Sequence, residues 1–313
     1  MTTKRHNLCL VICIGMMIFA LSQTVEASRP IAIAHQQQHI EDPDAVEQEE
    51  DFVGLTTTFF SLPEGESTLI RFPSGKTMLI DTGSEKDTEK LVSLLLERHV
   101  TKVDYLLLTN DLPTHIGGYD KLAEKIQFDK IYMPKLTAFV IHSNIHISRE
   151  KQVVYVKEKD QLLDGKDVVI TFLHPSENLF LSPQDNSLVF CLTQGELQFL
   201  FTSAINEKAE ERLFAKYPSL LPAEILKVAA QGSNQASIQS FLTKVDPQIA
   251  VVQTGIVREQ WKDSMREVVE RLEESWADTY VTSRDGSITI LSNGQDYKVL
   301  KAVKTSTRDR QRS

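Results

Sequence analysis

Cysteine is scarce in this chain. There are three in 313 residues, Cys9, Cys13 and Cys191. The first two sit in an apolar leader, and the third lies inside the apolar run 188-LVFCL-192. With the leader removed, no internal disulfide can form, so the fold rests on its core and not on covalent staples. Cys191 reads as a core thiol. Long apolar runs are also missing. The longest at the N-terminus, residues 8–21, has 14 residues, short of the roughly 20 that cross a bilayer as a helix. The middle of the chain has no stretch rich in Pro and Gly, which excludes a simple two-domain arrangement joined by a linker. Hydrophobic residues make up 41% and charged residues 25% of the chain, ordinary values for a globular protein.

Positive charge is thin over most of the length. The formal net charge is −9. The tail after Tyr297 holds six bases and one acid, a net +5, so the remainder carries −14. A body that acidic argues against nucleic-acid binding over a broad face. The basic tail reads as a solvated end, with contact to an anionic surface as the alternative.

Residues 1–27 have the plan of an export signal. Lys4 and Arg5 form a basic start, an apolar run follows, and 25-VEA-27 supplies a small-residue cleavage site. The expectation is a secreted protein, or one anchored by an uncleaved signal. Residues 28–51 contain 35-HQQQH-39 and the acidic run 41-EDPDAVEQEED-51, and read as a disordered acidic linker. The folded part is expected over 52–303, with a basic tail over 304–313.

Within 52–303, residues 56–62, 68–72 and 77–80 alternate as strands, with a turn at 73-PSGK-76. Apolar spacing predicts helices over 88–99, 116–126, 206–216, 235–245 and 263–274. Buried strands are expected at 103–108, 128–133, 224–228, 249–253 and 279–282. Residues 187–192 and 197–201 pair across the Gln194-Gly195 turn, and 287–291 and 297–303 close the chain. Each half begins with antiparallel strands and ends with alternating helix and strand. That order gives one four-layer αββα sandwich.

Seven segments in order, 79-LIDTG-83, 105-YLLLTNDLPTHIGG-118, 186-NSLVF-190, 198-QFLFTSAINEKAEERL-213, 226-LKVAAQGS-233, 246-DPQIAVVQTG-255 and 279-TYVTSRDGSITI-290, resemble the metallo-β-lactamase fold, in particular the extracytoplasmic domain of ComEC-type competence proteins. The resemblance runs from about residue 56 to 291. It implies hydrolase chemistry of a phosphodiesterase or nuclease kind, in which two metal ions hold a bridging hydroxide. It also implies a ligand motif His-x-His-x-Asp-His after the strand at 103–108. Here the positions before the final histidine are Asn110, Leu112 and Thr114, and His115 alone remains. The later bridging aspartate falls on Ala204. A His-His-Gly-Ser motif becomes Ala230-Gln231-Gly232-Ser233, and the last histidine aligns with Asp263 within a residue or two. Asp81 corresponds to a structural aspartate beneath the site.

Leu112 and Ala204 have no side-chain lone pair, and His115 with Asp263 falls short of the three protein ligands of a catalytic zinc. The expectation is a degenerate site with no cofactor, a pseudoenzyme-like binding or scaffold protein at the cell envelope. Its vestigial cleft would take a small ligand or an envelope partner. Zinc or manganese belongs to the alternative, a residual hydrolase; a DNA-uptake accessory is the third reading. His142 and His146 are expected as surface histidines on a loop or irregular strand. Ser203 and Ser233 are candidate nucleophiles without a Gly-x-Ser-x-Gly elbow.

Overall fold

The computed structural model describes residues 39–42, Val46, Gln48, Glu49 and 52–302, all within the unit spanning residues 35–313. The stretches expected as an export signal, 1–27, and as a basic tail, 304–313, lie outside the described residues. No helix among the described residues is long and apolar enough to cross a membrane.

Strands β1 His39–Asp42, β2 Leu55–Phe59, β3 Thr68–Arg71, β4 Thr77–Ile80, β5 Lys102–Leu107, β6 Gln127–Pro134 and β7 Gln152–Val156 come first in the chain. Then follow β8 Gln161–Asp164, β9 Val168–His174, β10 Val189–Gln194, β11 Leu197–Phe201, β12 Ile225–Lys227, β13 Ile249–Val252 and β14 Asp278–Val281. The last two are β15 Ile288–Ser292 and β16 Tyr297–Ala302. They form two sheets, ordered β1-β16-β15-β2-β3-β4-β5-β6-β7 and β14-β13-β12-β11-β10-β9-β8. Each sheet joins an antiparallel set to a parallel set. The parallel strands are spaced by helices: α1 Thr88–Leu96, α2 Pro113–Ile116, α3 Tyr119–Ala123 and α4 Ala138–Asn144 on the first sheet, then α5 Glu207–Lys216, α6 Gln239–Val245 and α7 Asp263–Glu274 on the second. A short α8, Thr282–Asp285, precedes β15.

The layering follows from side-chain alternation, because successive strand residues point to opposite faces. Leu197, Phe199 and Phe201 of β11 join a core shared with Phe59, Ile70 and Leu107 of the first sheet. Leu200 turns the other way, toward Leu213 of α5 and Val268 of α7. On the first sheet, Leu106 and Leu108 pack with Leu91 and Leu95 of α1. Three apolar layers between two sheets and two helical sides make the four-layer sandwich.

Three expectations need correction. The disordered linker over 28–51 does not hold where that segment is described. His39–Asp42 pairs in parallel with β16, and backbone pairing satisfies a strand whatever its side-chain charge. Glu49 is buried and takes Arg98 in a bidentate contact, 2.7 Å from Nε and 3.1 Å from Nη2. The single helix over 116–126 is two short ones. A Cβ at Gly118 would lie 2.5 Å from the carbonyl of Thr82, so the chain passes the β4 loop too closely to continue one regular helix. His142 lies on α4, whose Ala138 and Ile141 are buried. Its apolar residues thus serve a helix face and not a strand. Both His142 and His146 are exposed.

Arg98 and Glu49 are 1% and 2% exposed. Removing one partner leaves the other charged, dry and unpaired. Glu49→Ala is expected to lower the unfolding free energy by about 3–5 kcal/mol, measured by urea unfolding. A midpoint equal to that of the parent would show that the acidic segment is not part of the fold.

Candidate functional site

The site lies where the parallel strands of both sheets end. After β5, the chain makes the turn 109-TNDLPTHIGG-118. Pro113 starts α2, where its missing N–H costs nothing. This short helix places His115 1% exposed, with Nδ1 3.1 Å from the Thr114 hydroxyl. Its Nε2 is 3.2 Å from Oε2 of Glu66. The same carboxylate oxygen receives the ammonium of Lys227, the last residue of β12. Lys227 also reaches the carbonyl of Ser203 at 3.3 Å.

Glu66 is carried by the loop 62-LPEGE-66. That loop is fixed by Glu66 N–H donating to the Thr114 carbonyl at 3.0 Å. Gly65 lets the two segments touch, since a Cβ there would lie 2.2 Å from that carbonyl. Burial alone would raise the Glu66 pKa, but the Lys227 charge, and after it His115, holds it below the ordinary range. The carboxylate is therefore ionised and paired. Its Oε1 makes no hydrogen bond, and His115 Nε2 lies 3.2 Å from Oε2 without good hydrogen-bond alignment.

Behind this triad is a second polar cluster. Asp81 is buried with φ of 57°. It accepts hydrogen bonds from Thr109 N–H at 2.8 Å and from Thr109 Oγ1 at 2.6 Å. Thr109 Oγ1 lies 2.6 Å from Ser203 Oγ. Asn110 Nδ2 donates to Ser203 Oγ at 2.9 Å, and its Oδ1 accepts from Leu112 N–H at 2.8 Å. Asn110 is thus spent on holding the turn. Ser203 is 4% exposed and lines a narrow space between the sheets with Glu66, Asp81 and Lys227. Its hydroxyl faces that interior and not the open cleft, which removes it as a nucleophile.

The open cleft has a volume of about 340 Å3. Its lining includes Leu112, Thr114 and His115 from the first half, and Ala204, Ala230, Gln231 and Ser233 from the second. Gln184, Asn206 and Gln235 complete it. Ala230, Gln231 and Gly232 all have positive φ, from 48° to 80°. The bend is held by Ala230 N–H donating to the Ser203 carbonyl at 2.9 Å. Gln231 Nε2 donates to the Glu64 carbonyl at 3.0 Å.

Asp263 does not belong here. It is exposed at the start of α7, outside the cleft lining, because that helix turns its apolar side inward and its first acidic residue to solvent. Asn234 is likewise outside the lining and bonds Glu267 at 3.1 Å.

A resident zinc or manganese pair is poorly matched by these residues. Leu112, Ala204 and Ala230 offer no side-chain donor, Asn110 is occupied, and the Glu66 carboxylate already holds an ammonium. Among the described residues no three His, Cys, Asp or Glu side chains form a group that could hold a metal ion.

Glu66 and Lys227 were not singled out from the sequence, nor were Gln184, Asn206 and Gln235. One signal for the first pair was available: a lysine inside the apolar strand 225-ILKVAA-230 can be buried only with a partner. Nothing local marks Glu66 as that partner, 161 residues away.

Comparison with known proteins agrees with the four-layer frame. A family model described as the metallo-beta-lactamase superfamily matches residues 64–255. Competence protein ComA of Neisseria gonorrhoeae is 28% identical over 214 residues, covering 68% of this chain and 28% of that protein. ComE operon protein 3 of Bacillus subtilis (strain 168) is 25% identical over 214 residues, covering 61% and 27%. The chain therefore spans less than a third of the length of these relatives. Among solved structures, the metallo-beta-lactamase fold protein YhfI from Bacillus subtilis superposes with a TM-score of 0.50 at 13% identity, over 72% of this chain and 96% of that one. At that identity the likeness concerns the fold alone.

Burial pushes the Asp81 carboxyl up to about 6 from its ordinary 3.8. A raised carboxyl pKa means that the native state binds the proton more tightly than the unfolded chain. Its contribution to stability is then present at low pH and lost as pH rises from about 4 to about 6. Over that window the stability of the parent relative to Asp81→Asn should fall by about 3 kcal/mol, as read by denaturant unfolding at several pH values. A pH-independent difference would contradict the placement of Asp81.

Proposed function

The chain belongs to the metallo-beta-lactamase superfamily, and from that premise we propose that it is a non-catalytic binding or scaffold protein. In this reading it is exported through the cytoplasmic membrane, as its leader suggests, and uses the superfamily's cleft to hold a ligand or partner without a resident cofactor.

The observation that carries the proposal is what stands at the positions where the family resemblance places metal ligands. Leu112, Ala204 and Ala230 present carbon to the cleft, while the carboxylate beside His115 is neutralised from within by Lys227. A hydrolytic metal centre needs an open coordination position and several lone pairs converging on one point. This cleft offers one imidazole, already set against Glu66.

Relation to the competence proteins supports a place at the cell envelope, and their names motivate a DNA-uptake accessory as the competing reading. The acidic body weighs against it. Binding would then have to run through the basic tail and show a steep salt dependence.

The test is elemental analysis of the purified protein, combined with a phosphodiesterase assay on the same preparation. The expected result is substoichiometric zinc and manganese, with no hydrolysis above a buffer control. Near-stoichiometric metal, together with an activity abolished by His115→Ala, would overturn the proposal. A low-salt DNA mobility shift that disappears on deletion of the residues after Tyr297 would favour the accessory instead.

A further inference from the structure

The two sheets have four border strands, β1 and β7 on the first, β14 and β8 on the second. A border strand offers unpaired peptide groups to any extended chain, and folds blunt it with charge, brevity or cover. Three of the four borders are treated in that way. β1 and β8 have four residues each, with Glu41 and Asp42 in the first and Asp164 in the second. β14 is capped by α8. Arg284 Nη2 donates to the Thr279 carbonyl at 2.6 Å, and the Val281 N–H donates to Asp285 Oδ2 at 2.8 Å. β7 has neither device. Its five residues, 152-QVVYV-156, include no charge and no proline.

Alternate residues of a parallel strand turn their peptide groups toward the same neighbour. The Val156 carbonyl accepts from the Lys135 N–H at 2.7 Å, on the β6 side. Val153 and Tyr155 therefore turn their peptide groups outward, and no side chain among the described residues caps them. The surface beside them is apolar. Tyr155 is 48% exposed, and Phe139 of α4 is 86% exposed. His142, one helical turn after Phe139, joins the two. Its ring centroid lies 6.1 Å from that of Tyr155, with Nε2 3.1 Å from the hydroxyl.

Charge selects the occupant. The chain carries −9 overall, yet residues 127–159 hold six bases and three acids. Two of those acids are spent internally, Asp129 on Lys102 at 2.6 Å and Glu158 on Lys216. Bases flank the strand at both ends, Arg149 and Lys151 before it, Lys157 and Lys159 after it. Arg149 and Lys157 are exposed, and neither side chain meets a carboxylate among the described residues. A second copy of this chain fits badly, because antiparallel pairing about Val154 sets Lys151 of one copy against Lys157 of the other. A segment with apolar residues in the middle and acids at both ends fits well. Its backbone completes the ladder, its apolar side chains cover Phe139 and Tyr155, and its carboxylates meet the flanking bases.

We propose that the β7 edge binds an extended acidic polypeptide segment of another protein, which adds a further strand to the nine-stranded sheet. None of these residues lines the cleft, so the inference is independent of the non-catalytic reading above.

The experiment is fluorescence anisotropy of the full chain with a labelled nonapeptide, Asp-Glu-Val-Thr-Val-Thr-Val-Glu-Asp. One control peptide has lysine at the four flanking positions. A second is the acidic peptide N-methylated at every second residue, which keeps the charge and blocks the ladder. Saturable binding of the acidic peptide is expected below about 1 mM, at least about tenfold weaker for both controls. Lys157→Glu and Phe139→Ser change exposed side chains, and each should weaken binding by about fivefold with an unchanged unfolding midpoint. The two peptide controls use the parent protein and do not depend on the variants. No saturation, or equal affinity for the N-methylated or the lysine-flanked peptide, would overturn the assignment. So would a single-stranded oligonucleotide that binds the same strip more tightly than the peptide, or a dimer of the parent that Phe139→Ser dissociates.

Discussion

The ammonium of Lys227 and the carboxylate of Glu66 meet inside the sandwich, and the cleft end of the molecule is organised around that contact. Lys227 closes a strand of the second sheet, and Glu66 sits on the loop before β3 of the first. Either group alone, dry and unpaired, would cost several kcal/mol. Together they tie the sheets and set His115 beside an ionised carboxylate. Two neutral connections accompany them across the same gap. Thr109 meets Ser203, and Thr68 donates to Gln253 at 3.0 Å. Farther into the interior the facing side chains are Phe, Leu and Ile. The polar end of the interior is thus held together by residues of the chain itself, with Glu66 Oε1 and His115 Nε2 left without a hydrogen bond.

Much of the frame was legible in sequence because its signals are local. Alternation in 197-LQFLF-201 and the turn at Gly195, whose φ is 57°, gave a hairpin that the structure contains. The apolar spacing of 263-DSMREVVERLEE-274 gave α7 residue for residue. Failures came where tertiary contact overrode local pattern. Composition made 41-EDPDAVEQEED-51 look unstructured, yet one of its acids is held by an arginine that lies 49 positions later. The histidine step in 142-HSNIH-146 straddles the end of a helix, where no interior partner brings the two imidazoles together.

The site was legible in a different sense. Two positions where the resemblance places ligands read Leu112 and Ala204, neither of which carries a side-chain donor. The buried pair beside His115 was not legible, because Glu66 and Lys227 are each unremarkable in their own segments and meaningful only together. Asp263 shows the converse hazard. Alignment placed an acid near the cleft, but the helix that carries it turns that residue to solvent. The cleft lies over a floor of internally neutralised charge, and its lining has His115 as the one titratable side chain.

The most direct measure of this internal neutralisation is thermal unfolding of the full chain in EDTA and in excess zinc or manganese. A protein whose buried carboxylate is already matched by Lys227 should unfold at the same midpoint in all three solutions. A midpoint that rises by several degrees with metal, and falls back with EDTA, would contradict the account, because a ligand that binds the native state selectively must stabilise it.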